Sequence, residues 1–279
     1  MTDVGFIGLG AIGKPMALRL ARSYDLTVFD VMPDPIAELQ KAGATAAVSV
    51  GELAHACDVI CVMVRDDDQV RDVLGEIYGS AKPGTTVVIH STIAPETPVA
   101  LESTARRHDL RLVDAPVSGG SMGAADGTLA IMVGGSDEAY ESAKPVLDAM
   151  ATIVTHAGPI GAGTKLKLAR NLMHFVAFTA ATEAQRLAEA AGLDLVELGN
   201  IVRHTDKVTG GPGAIMLRDT AKPIDADDFW HGVMSHVVAL GEKDLSFAIR
   251  LGETLGVETP MAELALQRLA PGLGVEGTS

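Results

Sequence analysis

Two side chains near the middle of the chain could transfer a proton to or from a substrate. Lys167 and Asn171 follow Gly161 and Gly163 in a segment rich in helix-forming residues. Because the two are four residues apart, they project from one face of the predicted helix. An ammonium group beside a neutral amide could hold a substrate oxygen and exchange a proton with it. Taken alone, such a pair is more often a solvated lysine on an exposed helix face, so the other motifs must decide.

Length and composition exclude several classes of protein. The 279 residues are 47% hydrophobic and 21% charged, which is typical of a globular chain with a sizeable core and favours two domains. The formal net charge of −14 argues against a nucleic-acid partner, because phosphate binding requires a basic face. No run of about eighteen apolar residues occurs and no signal peptide is evident, so we expect no membrane partner and a cytoplasmic location. Cys57 and Cys61 are the only cysteines, which predicts buried free thiols and no metal site.

A glycine-rich segment follows the first predicted strand and begins the first predicted helix. It consists of Gly8, Leu9, Gly10, Ala11, Ile12 and Gly13. This context predicts a dinucleotide site, with a tight turn at Gly8, close approach of the pyrophosphate at Gly10 and close helix packing at Gly13. The next predicted strand, residues 25–29, is followed by Asp30. Its carboxylate would accept hydrogen bonds from the adenosine ribose and repel a 2′-phosphate, which favours NAD over NADP.

Strand and helix patterns then alternate along the first half of the chain. Unbroken apolar runs predict buried strands at residues 59–64, 86–89, 110–113 and 128–133. Such alternation is typical of a doubly wound Rossmann sheet, in which ligands bind beyond the carboxyl ends of the strands. Residues 90–92 and 118–120 lie at two such ends.

The second half of the chain is predicted to be helical. A long helix is expected at residues 164–191, followed by helices at 195–202, 229–255 and 261–269 and by a loop at 207–213. The predicted fold class is therefore α/β, with an N-terminal Rossmann domain over residues 1–160. An all-helical C-terminal domain over residues 161–279 begins with the long interdomain helix. Apolar helix faces in this half predict a homodimer or homotetramer.

Four motifs occur in the order and spacing of a known family. They are Gly8 to Gly13, the segment Asp114-Ala-Pro-Val-Ser-Gly-Gly120, the segment Gly161-x-Gly-x-x-x-Lys-x-x-x-Asn171, and Lys243-Asp244-Leu245. Over nearly its whole length the chain resembles the β-hydroxyacid dehydrogenases, and within them most closely the 3-hydroxyisobutyrate dehydrogenases. The resemblance implies an oxidoreductase that transfers a hydride between NAD and a small 3-hydroxy acid.

The resemblance also implies roles for individual residues. Lys167 corresponds to the catalytic general acid/base and Asn171 to its substrate-binding partner. The substrate carboxylate would be held by Ser118, Gly119 and Gly120. Three further positions correspond to cofactor contacts, namely Ser91, Thr92 and Lys243. An exposed lysine has a pKa of about 10.4, so desolvation must lower the pKa of Lys167 towards roughly 7 to 8 if it is to act as a base near neutrality.

The sequence departs from the family pattern near the predicted site. His90, Arg170 and His236 stand where the family usually has other residues, which predicts a pocket for a larger or more polar substrate. His90 either contacts a ligand or is a structural histidine. The alternatives are a semialdehyde or imine reductase on the same fold and a non-catalytic NAD-binding protein. Lys167 argues against the imine reductase, and Asp30 argues against the NADP-dependent aldehyde reductases.

Overall fold

A single β-sheet organises the N-terminal part of the computed structural model, which describes residues 2–276. In chain order its strands are β1 (Val4–Ile7), β2 (Leu26–Phe29), β3 (Thr45–Ala46), β4 (Val59–Val62), β5 (Thr86–Ile89), β6 (Arg111–Asp114), β7 (Val117–Ser118), β8 (Leu129–Gly134) and β9 (Ala151–Gly158). The first six lie in the order β3-β2-β1-β4-β5-β6 and pair in parallel. The chain reverses its direction of winding between β1 and β4, so the expected doubly wound Rossmann sheet is confirmed.

Three further strands extend this sheet beyond β6. Strand β8 pairs antiparallel with both β6 and β7, and β9 pairs in parallel with β8. The apolar run at residues 128–133 correctly predicts β8 but not its direction, which depends on residues outside it. Strand β9 is absent from the sequence-based prediction, although its four β-branched residues from Thr152 to Thr155 favour a strand.

Seven helices accompany the sheet. They are α1 (Gly13–Leu20), α2 (Pro33–Lys41), α3 (Val50–Ala56), α4 (Asp67–Tyr78), α5 (Glu96–Arg107), α6 (Gly120–Asp126) and α7 (Asp137–Asp148). Local side chains determine where several of them begin. Ser49, Asp66 and Ser136 each accept a hydrogen bond from the backbone N–H three residues later.

Alternate residues along each strand contribute to two separate cores. Phe6 and Val88 belong to one core, whereas Ile7, Val87 and Ile89 belong to the other. Both cysteines are free and buried, as predicted. Because both faces of the sheet are covered, its carboxyl-end loops are the available binding surface.

Helices alone form the regular structure of residues 171–276. The long helix α8 (Ala162–Ala190) is followed by α9 (Leu195–Thr209), a 3-10 turn (Gly211–Gly213), α10 (Phe229–Leu255) and α11 (Pro260–Leu273). Two compact units meet between Arg170 and Asn171, within α8. The prediction that α9 ends at residue 202 and that a loop starts at 207 is wrong. The helix continues to Thr209 because residues 203–209 contain no glycine or proline, and it ends at Gly210, whose φ is 93°.

The second unit has a small core of its own, formed by Ile224, Met234, Val238, Ala270, Leu273 and Val275. The Glu183 carboxylate joins two helices of this unit, since it accepts hydrogen bonds from the backbone N–H groups of Met261 and Ala262, both at 2.9 Å. Among the helices described, none is long and apolar enough to cross a membrane.

Candidate active site

The glycine-rich loop between β1 and α1 has the geometry that a pyrophosphate requires. Gly8 has a φ of 94°, and a Cβ there would lie 2.2 Å from the Met63 carbonyl oxygen. A Cβ on Gly13 would lie 2.0 Å from the Gly8 carbonyl oxygen, whereas one on Gly10 would meet no described atom within 4 Å. No side chain in the described chain caps the start of α1, and the space beside Gly10, two residues before the N-cap Ile12, is open. The loop therefore fits a dinucleotide phosphate.

Asp30 lies directly beside this loop. One carboxylate oxygen accepts a 2.5 Å hydrogen bond from the Leu9 N–H, and the other accepts a 2.8 Å bond from the Met32 N–H. The carboxylate borders a cleft of about 440 Å³, whose apolar walls include Ile7, Phe29, Val31, Val50, Val64 and Val73. This arrangement fits the adenosine half of NAD, with the apolar walls available to the base and the carboxylate available to the ribose.

The residues that follow β5 differ in how accessible they are. Ser91 is buried, and its hydroxyl donates to the Val64 carbonyl at 2.7 Å and accepts from the Val64 N–H at 3.0 Å. Ser91 thus joins the ends of β5 and β4. Thr92, the next residue, is exposed and borders the same edge of the sheet.

A buried carboxylate attaches the long helix to the sheet. Asp114, the last residue of β6, is 0% exposed and accepts three hydrogen bonds. Its donors are the N–H groups of Gly161 and Thr164, both at 2.6 Å, and the Thr164 hydroxyl at 2.8 Å. Burial raises the pKa of this carboxyl, and the hydrogen bonds oppose that rise.

The sequence alone does not indicate that Asp114 attaches α8 to the sheet; it shows the residue only as the first of a motif. The glycines at the helix start were the available indication of a close contact. A Cβ on Gly163 would lie 2.2 Å from the Met132 carbonyl oxygen, and one on Gly134 would lie 2.3 Å from the Asp114 carboxylate. Neither the spacing nor the composition of the sequence indicates that the helix start pairs with Asp114, which lies some fifty residues earlier.

Lys167 lies in the second turn of α8, close to this attachment. Only 7% of the residue is exposed. Burial lowers the pKa of its ammonium group, and the positive charge of Arg170 lowers it further. Asn171 follows one turn later on the same helix and is half-buried. The lysine is therefore not a solvated surface residue, and its pKa shift has the direction that a general base requires.

The remaining predicted site residues occupy two places. Ser118 ends β7, Gly119 is the N-cap of α6 and Gly120 is its first residue, with φ angles of 131° and 64° at the two glycines. Gly119 and Gly120 are exposed at the same sheet edge as the glycine-rich loop. Lys243 lies on α10 in the helical unit, where its ammonium group is 3.2 Å from the Asp244 carboxylate. Within residues 2–276, no cluster of histidine, cysteine and carboxylate side chains is arranged to hold a metal ion.

Comparison with known proteins defines the class of protein. Residues 3–158 match the family model of the NAD binding domain of 6-phosphogluconate dehydrogenase. Residues 161–277 match the model described as NAD-binding of NADP-dependent 3-hydroxyisobutyrate dehydrogenase. Together with the Rossmann sheet and its glycine-rich loop, these matches define an NAD-binding oxidoreductase. The chain belongs to the 3-hydroxyisobutyrate dehydrogenase family of the β-hydroxyacid dehydrogenases.

Individual relatives agree with this assignment. The chain is 36% identical to the NAD-dependent L-serine dehydrogenase of Pseudomonas aeruginosa, over 95% of this chain and 90% of that one. A solved oxidoreductase structure from Mycobacterium avium is 51% identical, with a TM-score of 0.96 and 99% of both chains covered. The Mycobacterium tuberculosis 3-hydroxyisobutyrate dehydrogenase structure with L-serine is 30% identical, with a TM-score of 0.69 and coverage of 99% and 96%. The predicted family, enzyme class and NAD cofactor are thereby confirmed.

Proposed function

We propose that this enzyme oxidises a short 3-hydroxy carboxylic acid with NAD and uses Lys167 as general acid/base. The observation that supports this most directly is the position of Lys167. It is buried in the second turn of a helix whose start is bonded to the sheet edge that also contains the glycine-rich loop. In this proposal residues 1–160 bind the dinucleotide, and residues 161–279 bind substrate and form the oligomer.

The proton and the hydride of the alcohol leave by separate routes. NAD, held by the glycine-rich loop and Asp30, would supply the acceptor for the hydride of the carbinol carbon. The neutral amine of Lys167 takes the hydroxyl proton, so the substrate becomes a carbonyl compound and the lysine an ammonium ion. In the reductive direction the ammonium donates this proton to the developing alkoxide. Burial favours the neutral amine that the oxidation needs.

The other residues of the site hold the substrate and the cofactor. The Asn171 amide donates to the substrate hydroxyl oxygen. The Ser118 hydroxyl and the backbone N–H groups of Gly119 and Gly120 bind the carboxylate, which an acidic chain would otherwise repel. Thr92 and Lys243 contact the cofactor, and Ser91 supports it by fixing the end of β5.

We expect NADH formation by the purified protein with at least one short 3-hydroxy acid. The test panel contains 3-hydroxyisobutyrate, 3-hydroxypropionate, serine, glycerate and 4-hydroxybutyrate, each with NAD and with NADP. Because the Asp30 carboxylate would repel a 2′-phosphate bound in the neighbouring cleft, kcat/KM should favour NAD by about tenfold or more, which corresponds to roughly 1.4 kcal/mol. NAD binding without turnover in this panel would contradict the proposed activity, and reductive assays with semialdehydes and imines would then identify the alternative.

We also propose a homodimer or homotetramer joined through the helical unit. This unit exposes many large apolar side chains, including Leu172, Phe175, Phe178, Val196, Ile201, Met216 and Phe229. The rings of Phe175 and Phe178 lie 6.1 Å apart between centroids, and exposed apolar clusters mark sites of contact with other proteins. Light scattering at micromolar concentration should therefore give at least twice the chain mass.

A matched pair of variants tests where the subunits meet. Ile201, on α9, is 60% exposed, and Val48, in the sheet unit, is 86% exposed. Ile201→Lys should reduce the oligomer mass at low protein concentration, because burying a lysine is costly, and Val48→Lys should not. A monomeric native protein, or equal behaviour of the two variants, would rule out this interface.

A further inference from the structure

His90 is a buried side chain that the catalytic scheme does not use. It directly follows β5, precedes Ser91 and is 0% exposed. Its ring stacks near the ring of Phe6, with 6.2 Å between ring centroids and 10° between the planes. By strand alternation it lies on the same side of the sheet as Val88, facing the core around Phe6. An aliphatic residue could fill this space, so packing alone does not require an imidazole.

The hydrogen bonds of the ring identify its tautomer. His90 Nδ1 lies 2.9 Å from the Ala115 carbonyl oxygen. A carbonyl can only accept, so Nδ1 holds the ring proton and Nε2 is a bare acceptor. Nε2 is buried and has no hydrogen-bond partner among the described residues. Burial lowers the pKa of His90 to about 4, so the ring is neutral at physiological pH. The imidazole therefore has one polar contact, from Nδ1 to Ala115.

That contact joins two strand ends that bind different ligands in the proposed function. On the side of β5, the backbone N–H of His90 donates to the Val62 carbonyl at 2.8 Å, and the next residues are Ser91 and Thr92. On the side of β6, the Ala115 N–H donates to the Ile89 carbonyl at 2.7 Å.

Ala115 also connects two groups of the proposed site. It stands directly after Asp114, which bonds to the start of α8, and three residues before Ser118. The His90 ring therefore adds a bond between the ends of β5 and β6, one residue beyond the Ile89 carbonyl that accepts from the Ala115 N–H.

We propose that His90 is a positioning residue, whose Nδ1–H bond to Ala115 fixes the carboxylate-binding segment and the start of α8 relative to the cofactor-binding end of β5. This inference rests on the proposed function for its kinetic consequences, but the geometry it describes can be measured without any substrate.

Two amide substitutions separate the two ring nitrogens. In His90→Asn the side-chain amide nitrogen takes the place of Nδ1 and can still donate to Ala115. In His90→Gln it takes the place of Nε2, and the bond to Ala115 is lost. Both variants leave some space in the core, so their difference reports the Nδ1 contact. We expect KM for the hydroxy acid to rise about fivefold in His90→Gln relative to His90→Asn, the effect of one neutral hydrogen bond. The Kd of NAD, measured by calorimetry, should differ by less than about twofold, because the glycine-rich loop is untouched.

Amide hydrogen exchange provides the test that is independent of activity. Peptides covering residues 111–120 and 161–166 should exchange faster in His90→Gln than in His90→Asn, while peptides from α4 should not differ. Equal exchange in the two variants would overturn the proposal, as would equal KM values in a catalytically active protein. Faster exchange in His90→Gln without any turnover by the native protein would support the positioning role and reject the proposed activity instead.

Discussion

Replacing Lys167 with glutamine should lower kcat for hydroxy acid oxidation by about 100-fold to 10,000-fold, the usual contribution of a general acid/base. Glutamine retains a polar chain of similar shape but cannot accept the hydroxyl proton. The Kd of NAD should remain nearly unchanged, because the dinucleotide site proposed at the glycine-rich loop and Asp30 contains no residue of α8. Steady-state kinetics and calorimetry on the same preparations would measure both quantities.

Lys167→Arg is the matched control for charge. Arginine keeps the positive charge but does not lose its proton in proteins. It should therefore be about as inactive as glutamine in oxidation if Lys167 acts as a base. If the lysine acts only through its charge, arginine should recover much of the lost activity. Activity within about tenfold of native in Lys167→Gln would contradict the catalytic role.

The pH dependence of the native enzyme provides a second test of the same residue. Oxidation needs the neutral amine, so kcat should rise as the pH rises through the pKa of Lys167. Because burial and Arg170 both lower that pKa, the inflection should lie below the ordinary lysine value. In Arg170→Gln the inflection should move to higher pH, since one of the two causes is removed. A profile unaffected by Arg170→Gln would show that another group titrates.

The sequence predicted those parts of the site that depend on contacts between residues close together in the chain. The turn at Gly8 and the helix contact at Gly13 each involve residues close in sequence, and the strand–loop–helix pattern indicates both. Asp30 is further away, but the second strand of a Rossmann unit always returns beside the first, so its position follows from topology. The long helix could be predicted from local sequence as well, because its helical pattern is continuous along the chain.

Contacts between distant segments could not be predicted in this way. The bond from Asp114 to α8 spans about fifty residues, and the ring of His90 reaches Ala115 on another strand. The β-branched residues of β9 favour a strand, but they do not indicate that it pairs with β8. In each case the partner is determined by the register of the assembled sheet, which the sequence of either segment does not contain.

Replacing Asp114 with asparagine should lower the free energy of unfolding by about 2–4 kcal/mol, because the buried helix start loses its acceptors. The native carboxylate accepts three hydrogen bonds through two oxygens. The asparagine amide has one oxygen, and its NH2 group must face the N–H of Gly161 or Thr164, donor against donor. Chemical denaturation at neutral pH measures this loss. Lys167 should also be misplaced, so kcat should fall more than the stability of the folded fraction explains.

Thr164→Val provides the graded control for this network. It removes the hydroxyl bond to Asp114 but keeps both backbone N–H bonds, so the stability loss should be about 1 kcal/mol. The two substitutions should not be additive, because both act on the same carboxylate.

The pH dependence of stability separates the charge of Asp114 from its shape. Burial raises the pKa of Asp114, so the folded state retains this proton at a higher pH than the unfolded state does. The free energy of unfolding of the native protein should therefore increase as the pH falls through this raised pKa and decrease as the pH rises through it. Asp114→Asn should lack this pH dependence, because its side chain does not titrate. If the variant keeps native stability and native kcat, the attachment of α8 to the sheet does not depend on this carboxylate. Other contacts of the helix start, such as the packing of Gly163 against β8, must then position Lys167.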